Sequence, residues 1–310
     1  ERIDPYLTNE RLSRAATTAV GDATAIHGYR VLTGGCWNRV IALSAGRREL
    51  VCKISPTVGD DRIRREFHVL RRFAEETEMP VPEPLLLDDG DGELPGTALI
   101  MTRIPGVVMH ECFHLLTPVA RSRIIDEIAD HISTLHLRKS RGFGGVELAE
   151  DARLKSWPEF WLPRFDAVIR EAEESGVVPR VFVEGAREVR PYLFGALQIG
   201  ERSTMTHYDI WSGNVMVDPA ADPPRVTGYI DIPGFYADYA RELSFAMLFG
   251  VADRRFLERY AQDHAIDDSF ALRVNIYNLK MNIRHIQMYP DQRYYQEGAA
   301  ENLRHVRASL

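Results

Sequence analysis

The sequence predicts an α+β fold in two lobes: a small antiparallel sheet with one main helix, then a larger, mainly helical part. Three observations predict it. Strand-like runs crowd into residues 29–102, helical periodicity dominates the remainder, and an Ile104-Pro105-Gly106 break separates the two.

Residues 9–26 read as a helix, with Leu12, Ala15, Ala16 and Val20 near helical spacing. Strands follow at 29–32 and 40–43, either side of a Thr33-Gly34-Gly35 turn. Gly46-Arg47-Arg48 then reads as a hairpin turn into an alternating strand at 49–55. Residues 60–76 put Ile63, Phe67, Leu70 and Phe73 on one face behind an acidic start, an amphipathic helix. Pro80, Pro82 and Pro84 hold the chain extended into 85–87; 88–92 turns, and 97–102 is a further strand. Beyond the break, helices are expected at 117–138, 157–175, 184–197, 240–250, 253–263 and 268–288. Only 205–232 interrupts them, with short strand-like runs at 214–217 and 226–230. The lobes are expected to span 1–103 and 104–310, with a ligand-sized cleft between them.

Composition narrows the function classes. Of 310 residues, 45% are hydrophobic and 27% charged, which fits a globular protein and excludes a disordered one. The apolar run at 245–251 falls far short of the roughly 20 residues that span a bilayer, so no membrane partner is expected. The start of the chain shows neither a signal h-region nor a transit pattern, and since it does not open on Met, a few residues are expected to precede Glu1. Cys36, Cys52 and Cys112 lack CxxC spacing, which argues against a zinc site or disulfide framework and for a reduced, cytoplasmic protein. The 38 basic and 45 acidic residues give a net charge of −7, the wrong sign for a nucleic-acid binder. That charge suits a cationic small substrate, and equally well serves solubility alone. Only Lys53, Lys139, Lys155 and Lys280 are lysines; the other 34 basic residues are arginines. A lysine kept inside an apolar strand of so Arg-rich a chain suggests a need for an ammonium there.

The strongest chemical signal is His207-Tyr208-Asp209-Ile-Trp211-Ser-Gly-Asn214, followed 17 residues after the Asn by Asp231 at a strand end. An H-x-D-x-x-x-x-N loop with such a downstream Asp is the protein-kinase-type arrangement for phosphoryl transfer. Transfer from ATP needs Mg²⁺ and hence hard oxygen ligands, here Asn214 and Asp231. It also needs a carboxylate beside the acceptor hydroxyl, the position of Asp209. His207 reads as a structural brace of the loop. Any one of these residues alone is more often a cap or an Asx-turn; the four-point spacing is what points to catalysis. Lys53, mid-strand, is followed 13 residues later by Glu66 on the next helix, the order in which a strand lysine binds ATP phosphates and a helix glutamate orients it. Gly34 and Gly35 could bring backbone N–H groups to phosphate, though no GxGxxG is present.

From about Gly28 to Arg307 the chain resembles the aminoglycoside phosphotransferase and choline kinase branch of the protein-kinase-like fold, and within it most closely the fructosamine-3-kinase (ketosamine-3-kinase) family. Residues 100–106 (IMTRIPG) resemble that branch's hinge, and Ser133-Thr-Leu-His136 a signature of its next helix. HYDIWSGN is similar to the fructosamine-3-kinase loop HGDLWSGN. The run from Asp231 through Glu242 to Gly250 follows the family's metal loop and helix. Gly34-Gly-Cys-Trp37 resembles its nucleotide loop, Trp157-Pro-Glu-Phe-Trp161 its WxEF segment, and 275–308 its C-terminal helices. The resemblance implies Asp209 as base, Asn214 and Asp231 as Mg²⁺ ligands, Lys53 and Glu66 as the phosphate-binding pair, and hinge backbone groups at Thr102 and Ile104 for adenine. Trp211 beside the base is expected either as a wall under an amine-bearing sugar acceptor or as packing for the loop, and Asp238 and Glu242 as braces. It also implies repair of glycated amines, since phosphorylation makes the adduct labile. Tyr208 in place of Gly, Ile232 in the metal loop and Trp37-Asn38 depart from the pattern, and Tyr208 and Trp37 bear on the acceptor. An aminoglycoside or other amino-sugar phosphotransferase is the rival within this fold. A kinase-like protein without activity would be expected to lack one of Lys53, Asp209, Asn214 and Asp231. A protein kinase is disfavoured by the missing APE-like segment. Cys36 in the nucleotide loop is a candidate redox-sensitive thiol.

Overall fold

The computed structural model describes residues 7–21, 26–32, 38–90, 92–200 and 203–310. The first lobe contains helix α1 (Asn9–Val20), strands β1 (Ile26–Leu32), β2 (Arg39–Ala45) and β3 (Arg48–Ser55), helix α2 (Asp61–Glu76), and strands β4 (Pro84–Asp88) and β5 (Thr97–Thr102). Its strands form one antiparallel sheet in the order β1-β2-β3-β5-β4.

Strand alternation decides what each face of this sheet does. Ile41 and Leu43 of β2, Leu50, Cys52 and Ile54 of β3, and Ala98 and Ile100 of β5 pack with Leu12, Ala15 and Ala16 of α1. The intervening Leu99 and Met101 of β5 turn the other way and join Ile63, Val69, Leu70 and Phe73 of α2 in a core that continues into the helical lobe. Both faces of β5 are covered, which is why Thr97-Ala-Leu-Ile-Met reads as an unbroken apolar run. Lys53, in register with Leu99, falls on the second face, the side that meets the helical lobe. Asp60 caps α2, its carboxylate accepting from the Arg62 N–H at 2.9 Å. The helix expected over 9–26 stops at Val20, because Gly21 turns left-handed (φ 76°) and closes on the Thr17 carbonyl.

The second lobe begins with β6 (Val107–Val108), α3 (Met109–Cys112), α4 (Pro118–His136), β7 (Lys139–Ser140) and β8 (Gly144–Gly145). It continues through α5 (Trp157–Ser175), α6 (Arg180–Ala196), β9 (Ser203–Thr206), β10 (Val215–Asp218), β11 (Arg225–Tyr229) and β12 (Phe235–Ala237). It ends in α7 (Tyr239–Leu248), α8 (Arg254–Tyr260), α9 (Phe270–Met288) and α10 (Arg293–Ser309). The short strands make two small sheets, β11-β10-β6 and β7-β9-β12-β8. The helix expected from 184 begins at Arg180, directly after Pro179, and the one expected to reach 263 ends at Tyr260. Trp157 and Trp161 of α5 pack around Tyr277 of α9, whose hydroxyl accepts from the Trp157 indole at 2.7 Å. Among the described residues no helix is long and apolar enough to cross a membrane.

The Pro-Gly break is held to this second lobe. The Thr227 hydroxyl donates to the Pro105 carbonyl at 2.6 Å, and Gly106 (φ 100°) lies so close that an added Cβ would sit 2.3 Å from the Val217 carbonyl oxygen.

Candidate active site

Two loops of the second lobe carry the candidate residues. The first, 207–214, leaves β9 and enters β10; the second, 230–234, joins β11 to β12. Backbone hydrogen bonds tie them together: the Ile230 N–H donates to the Asn214 carbonyl at 3.0 Å and the Gly234 N–H to the His207 carbonyl at 3.1 Å. Pairing of β12 with β9 sets their register, Phe235 lying opposite Thr206. Tyr208 (φ 80°) and Asp231 (φ 52°) are the non-glycine residues with positive φ among those described. Both sit in these loops, where strained backbone tends to gather at functional sites. Tyr208 thus stands at a left-handed position that glycine would occupy without strain.

Within the first loop, the Asn214 amide donates to the Asp209 carbonyl at 2.9 Å and to Asp209 Oδ2 at 2.8 Å, so the two side chains are locked together. Burial comes first among the forces on the Asp209 carboxyl and pushes it up to about 6, against the opposing charge of Arg241 and the Asn214 hydrogen bond. His207 is fully buried. Its backbone N–H donates to Glu242 Oε1 at 3.2 Å, and its Nδ1 accepts from the Asp209 N–H at 3.3 Å. Burial holds its imidazole down to about 4, hence neutral, with Glu242 opposing. Glu242 in turn lies 3.5 Å from His136 Nε2. Asp238 caps α7 and pairs with Arg273 at 2.7 Å. Glu242 thus holds the loop through His207, whereas Asp238, expected as a second brace, is tied to α7 and to Arg273 and Tyr277 of α9.

Cations of the first lobe, Lys53 of β3 and Arg65 of α2, reach these loops. Lys53 Nζ pairs with Glu66 Oε1 at 2.5 Å and also with Asp231 Oδ1. Burial alone would lower the lysine, but the charges of Glu66 and then Asp231 outweigh it and hold the ammonium above its ordinary range. Helix α2 docks closely because residue 234 is a glycine (φ 58°): an added Cβ would lie 2.5 Å from Val69. Arg65 of the same helix donates to the Gly234 carbonyl at 3.1 Å. Lys53, Glu66, Asp231, Asn214 and Asp209 therefore converge, as their spacing predicts. Gly34, Gly35, Cys36 and Trp37 lie outside the described residues. At the hinge, the Thr102 N–H is already committed to the Glu83 carbonyl at 2.9 Å, which leaves it no donor for adenine. Ile104 lies beyond the strand end, its side chain against Gly228. Trp211 is 36% exposed beside His110, at 6.2 Å between ring centroids.

A family model described as the phosphotransferase enzyme family matches residues 28–271. The chain belongs to this family. The phosphotransferase is 26% identical over 137 residues to a protein of Enterococcus faecium assigned as a ketoamine kinase, a match covering 43% of this chain and 47% of that one. The chain thus aligns with about half the length of that relative. It is also similar to a crystal structure from Thermobifida fusca assigned as a fructosamine-3-kinase, with TM-score 0.74, 17% identity, and 97% and 98% of the two chains covered. A further likeness is to an aminoglycoside phosphotransferase in ternary complex with ADP and hygromycin B, with TM-score 0.65, 16% identity, and 94% and 98% covered. The two structural likenesses show a shared kinase-like fold.

The donor set of the phosphotransferase fits Mg²⁺. Asn214 and Asp231 offer hard oxygens, and Mg²⁺ is commonly held by one or two such side chains together with substrate phosphates and water. Among the described residues there is no group of three or more His, Cys, Asp or Glu that could hold a metal ion. Arg241 was not legible in the sequence. It is 5% exposed, lies 4.3 Å above the Tyr208 ring and acts electrostatically on Asp209, yet it belongs to α7, more than 30 residues downstream.

Proposed function

We propose that this chain is an ATP- and Mg²⁺-dependent kinase that transfers the γ-phosphate to a sugar hydroxyl of a ketosamine, a fructosyl- or ribulosyl-amine. The observation that carries the phosphotransfer is the contact chain Glu66–Lys53–Asp231 across the cleft, beside an Asp209 locked to Asn214. The acceptor class is supported by the ketoamine kinase relative.

In this reading Lys53, kept charged by its two carboxylates, binds the nucleotide phosphates, and Glu66 fixes its position. Asn214 and Asp231 would hold Mg²⁺, which offsets charge on the transferring phosphoryl group. Asp209 accepts a hydrogen bond from the acceptor hydroxyl, aligns its oxygen on the γ-phosphorus and takes its proton as the bond to ADP breaks. Asn214 keeps the Asp209 carboxylate in one orientation, and the neutral His207 holds the loop without competing for that proton. A reduced, cytoplasmic setting is part of the proposal.

The test is ADP release in a coupled assay on fructosyl-lysine, ribulosyl-lysine, choline and several aminoglycosides. Turnover confined to the ketosamines is the expected result. Turnover confined to an aminoglycoside would move the chain to the amino-sugar reading, for which the hygromycin B complex of the related fold is the precedent.

A further inference from the structure

The phosphoryl-transfer machinery accounts for Lys53 but leaves Lys280, another of the four lysines, without a task. Lys280 projects from α9 into a cluster of cations beside the catalytic loop. Its neighbours come from two other helices: Arg164 from α5 and Arg241 from α7.

Aromatic rings hold the cluster in place. The Arg241 guanidinium lies 4.3 Å from the Tyr208 ring centre and 5.1 Å from that of Phe245. Arg164 lies 3.7 Å over Phe160, and its Nη1 donates to the Phe160 carbonyl at 2.5 Å. Lys280 Nζ stands 5.7 Å from the Trp161 ring centre, and Phe235 lies 5.6 Å from Phe160 and 4.6 Å from Tyr208, joining these rings into one group.

The charges in this cluster are not balanced. Arg65 and Arg284, at its edge, pair with Glu147 and Glu171. Among the described residues Arg164, Arg241 and Lys280 form no ion pair, and the buried Arg241 Nη1 has no hydrogen-bond partner at all. Burial, then Arg241, Arg164 and Arg284, bring the Lys280 ammonium down to about 7, with Glu171 opposing. In a chain of net charge −7 that pairs most of its arginines, this is a local positive field directly behind Tyr208 and Asp209. Arg241 is buried, Lys280 half-buried and Arg164 exposed, so the last two are within reach of a ligand, and an oxyanion is the ligand chemistry that pairs with such a cluster.

We propose that the acceptor carries an oxyanion group, a carboxylate in a ketosamine formed from an amino acid, which binds at Arg164 and Lys280 while its sugar hydroxyl lies at Asp209. Arg241, behind the Tyr208 ring, adds its charge without touching the ligand. The inference rests on the phosphotransfer reading for the position of the hydroxyl. A local group of cations would thus favour an anionic group on the acceptor although the molecule carries a net charge of −7.

Fructosyl-glycine and fructosyl-glycinamide differ only in that carboxylate, so their kcat/KM ratio tests the proposal. Wild type is expected to favour the acid by about tenfold or more, the discrimination equivalent to about 1.4 kcal/mol. Lys280→Met and, separately, Arg164→Met should bring the ratio to within about twofold of one, through KM rather than kcat. Neither variant removes a buried ion pair, so neither threatens the fold. A second readout needs no turnover: with the nucleotide site filled by AMP-PNP and Mg²⁺, inorganic phosphate is titrated calorimetrically into wild type and Lys280→Met. Equal kcat/KM for the two adducts in wild type overturns the proposal and leaves the ketosamine reading standing. Turnover of neither adduct overturns the ketosamine reading, and the phosphate titration then decides the anion site. Binding that weakens at least about fivefold in Lys280→Met supports it, whereas absent or unchanged binding overturns it.

Discussion

Replacing Lys53 by Met removes the cation that Glu66 and Asp231 share. The lysine and glutamate side chains are 12% and 17% exposed, so the substitution strands a carboxylate in a nearly dry site. Deleting one partner of a buried pair costs about 3–5 kcal/mol, and the residual exposure at both ends places this case near 3 kcal/mol. At about 2 °C per kcal/mol for a chain of this size, Tm should fall by about 6 °C. Adding Glu66→Gln removes the stranded charge, and the double variant should melt within about 2 °C of wild type. Catalysis should not follow stability back. On the proposed role of Lys53 the nucleotide phosphates would lose a charged partner, and kcat/KM for ATP should drop by about 10² or more in both the single and the double variant. Thermal melts and coupled ADP release on the three proteins separate the two roles. A Lys53→Met protein that melts and turns over like wild type would refute the reasoning, as would a double variant that regains turnover along with stability.

Further expectations follow from the loops. Asp209→Asn should lower kcat by about 10²–10⁴ while leaving nucleotide affinity, measured by calorimetry, within about twofold of wild type. His207 is neutral in the fold, its imidazole held at about 4 against an ordinary 6.5. Between those values the unfolded chain binds the extra proton, so stability is lost as pH falls, by about 2 kcal/mol at pH 5. His207→Gln should shrink the difference in denaturant-measured stability between pH 7 and pH 5 by about that amount, and an unchanged difference would count against a buried neutral imidazole. Gly106→Ala forces a Cβ toward the Val217 carbonyl oxygen, 2.3 Å away, at a left-handed φ of 100°. It should destabilise the protein by more than about 2 kcal/mol, seen as a lowered urea midpoint.

Periodicity made the long elements legible. The helix expected at 157–175 and the strand expected at 97–102 have those bounds in the structure, because each buries a regular apolar face. Of the strands of two to four residues, β10 was read at 214–217, but β6 to β9 and β12 were largely illegible. Their existence depends on pairing with distant partners, such as Phe235 with Thr206, rather than on any local pattern. The candidate site divides in the same way. Lys53, Glu66, Asp209, Asn214 and Asp231 could be read because phosphoryl transfer fixes both their types and their order along the chain. Arg164, Arg241 and Lys280 come from three helices that meet only through packing, so no spacing announces them. The scarcity of lysine is the feature of the sequence that sets the half-buried Lys280 apart from the many arginines.

The central claim is that Lys53, Asn214 and Asp231 form a Mg²⁺-dependent nucleotide site beside Asp209. It is tested most directly, and without knowledge of the acceptor, by calorimetric titration of AMP-PNP into wild type and Asp231→Asn with and without Mg²⁺. The account predicts that Mg²⁺ tightens binding to wild type by at least about tenfold and that the gain is lost in Asp231→Asn. Binding that ignores both Mg²⁺ and the substitution would contradict it.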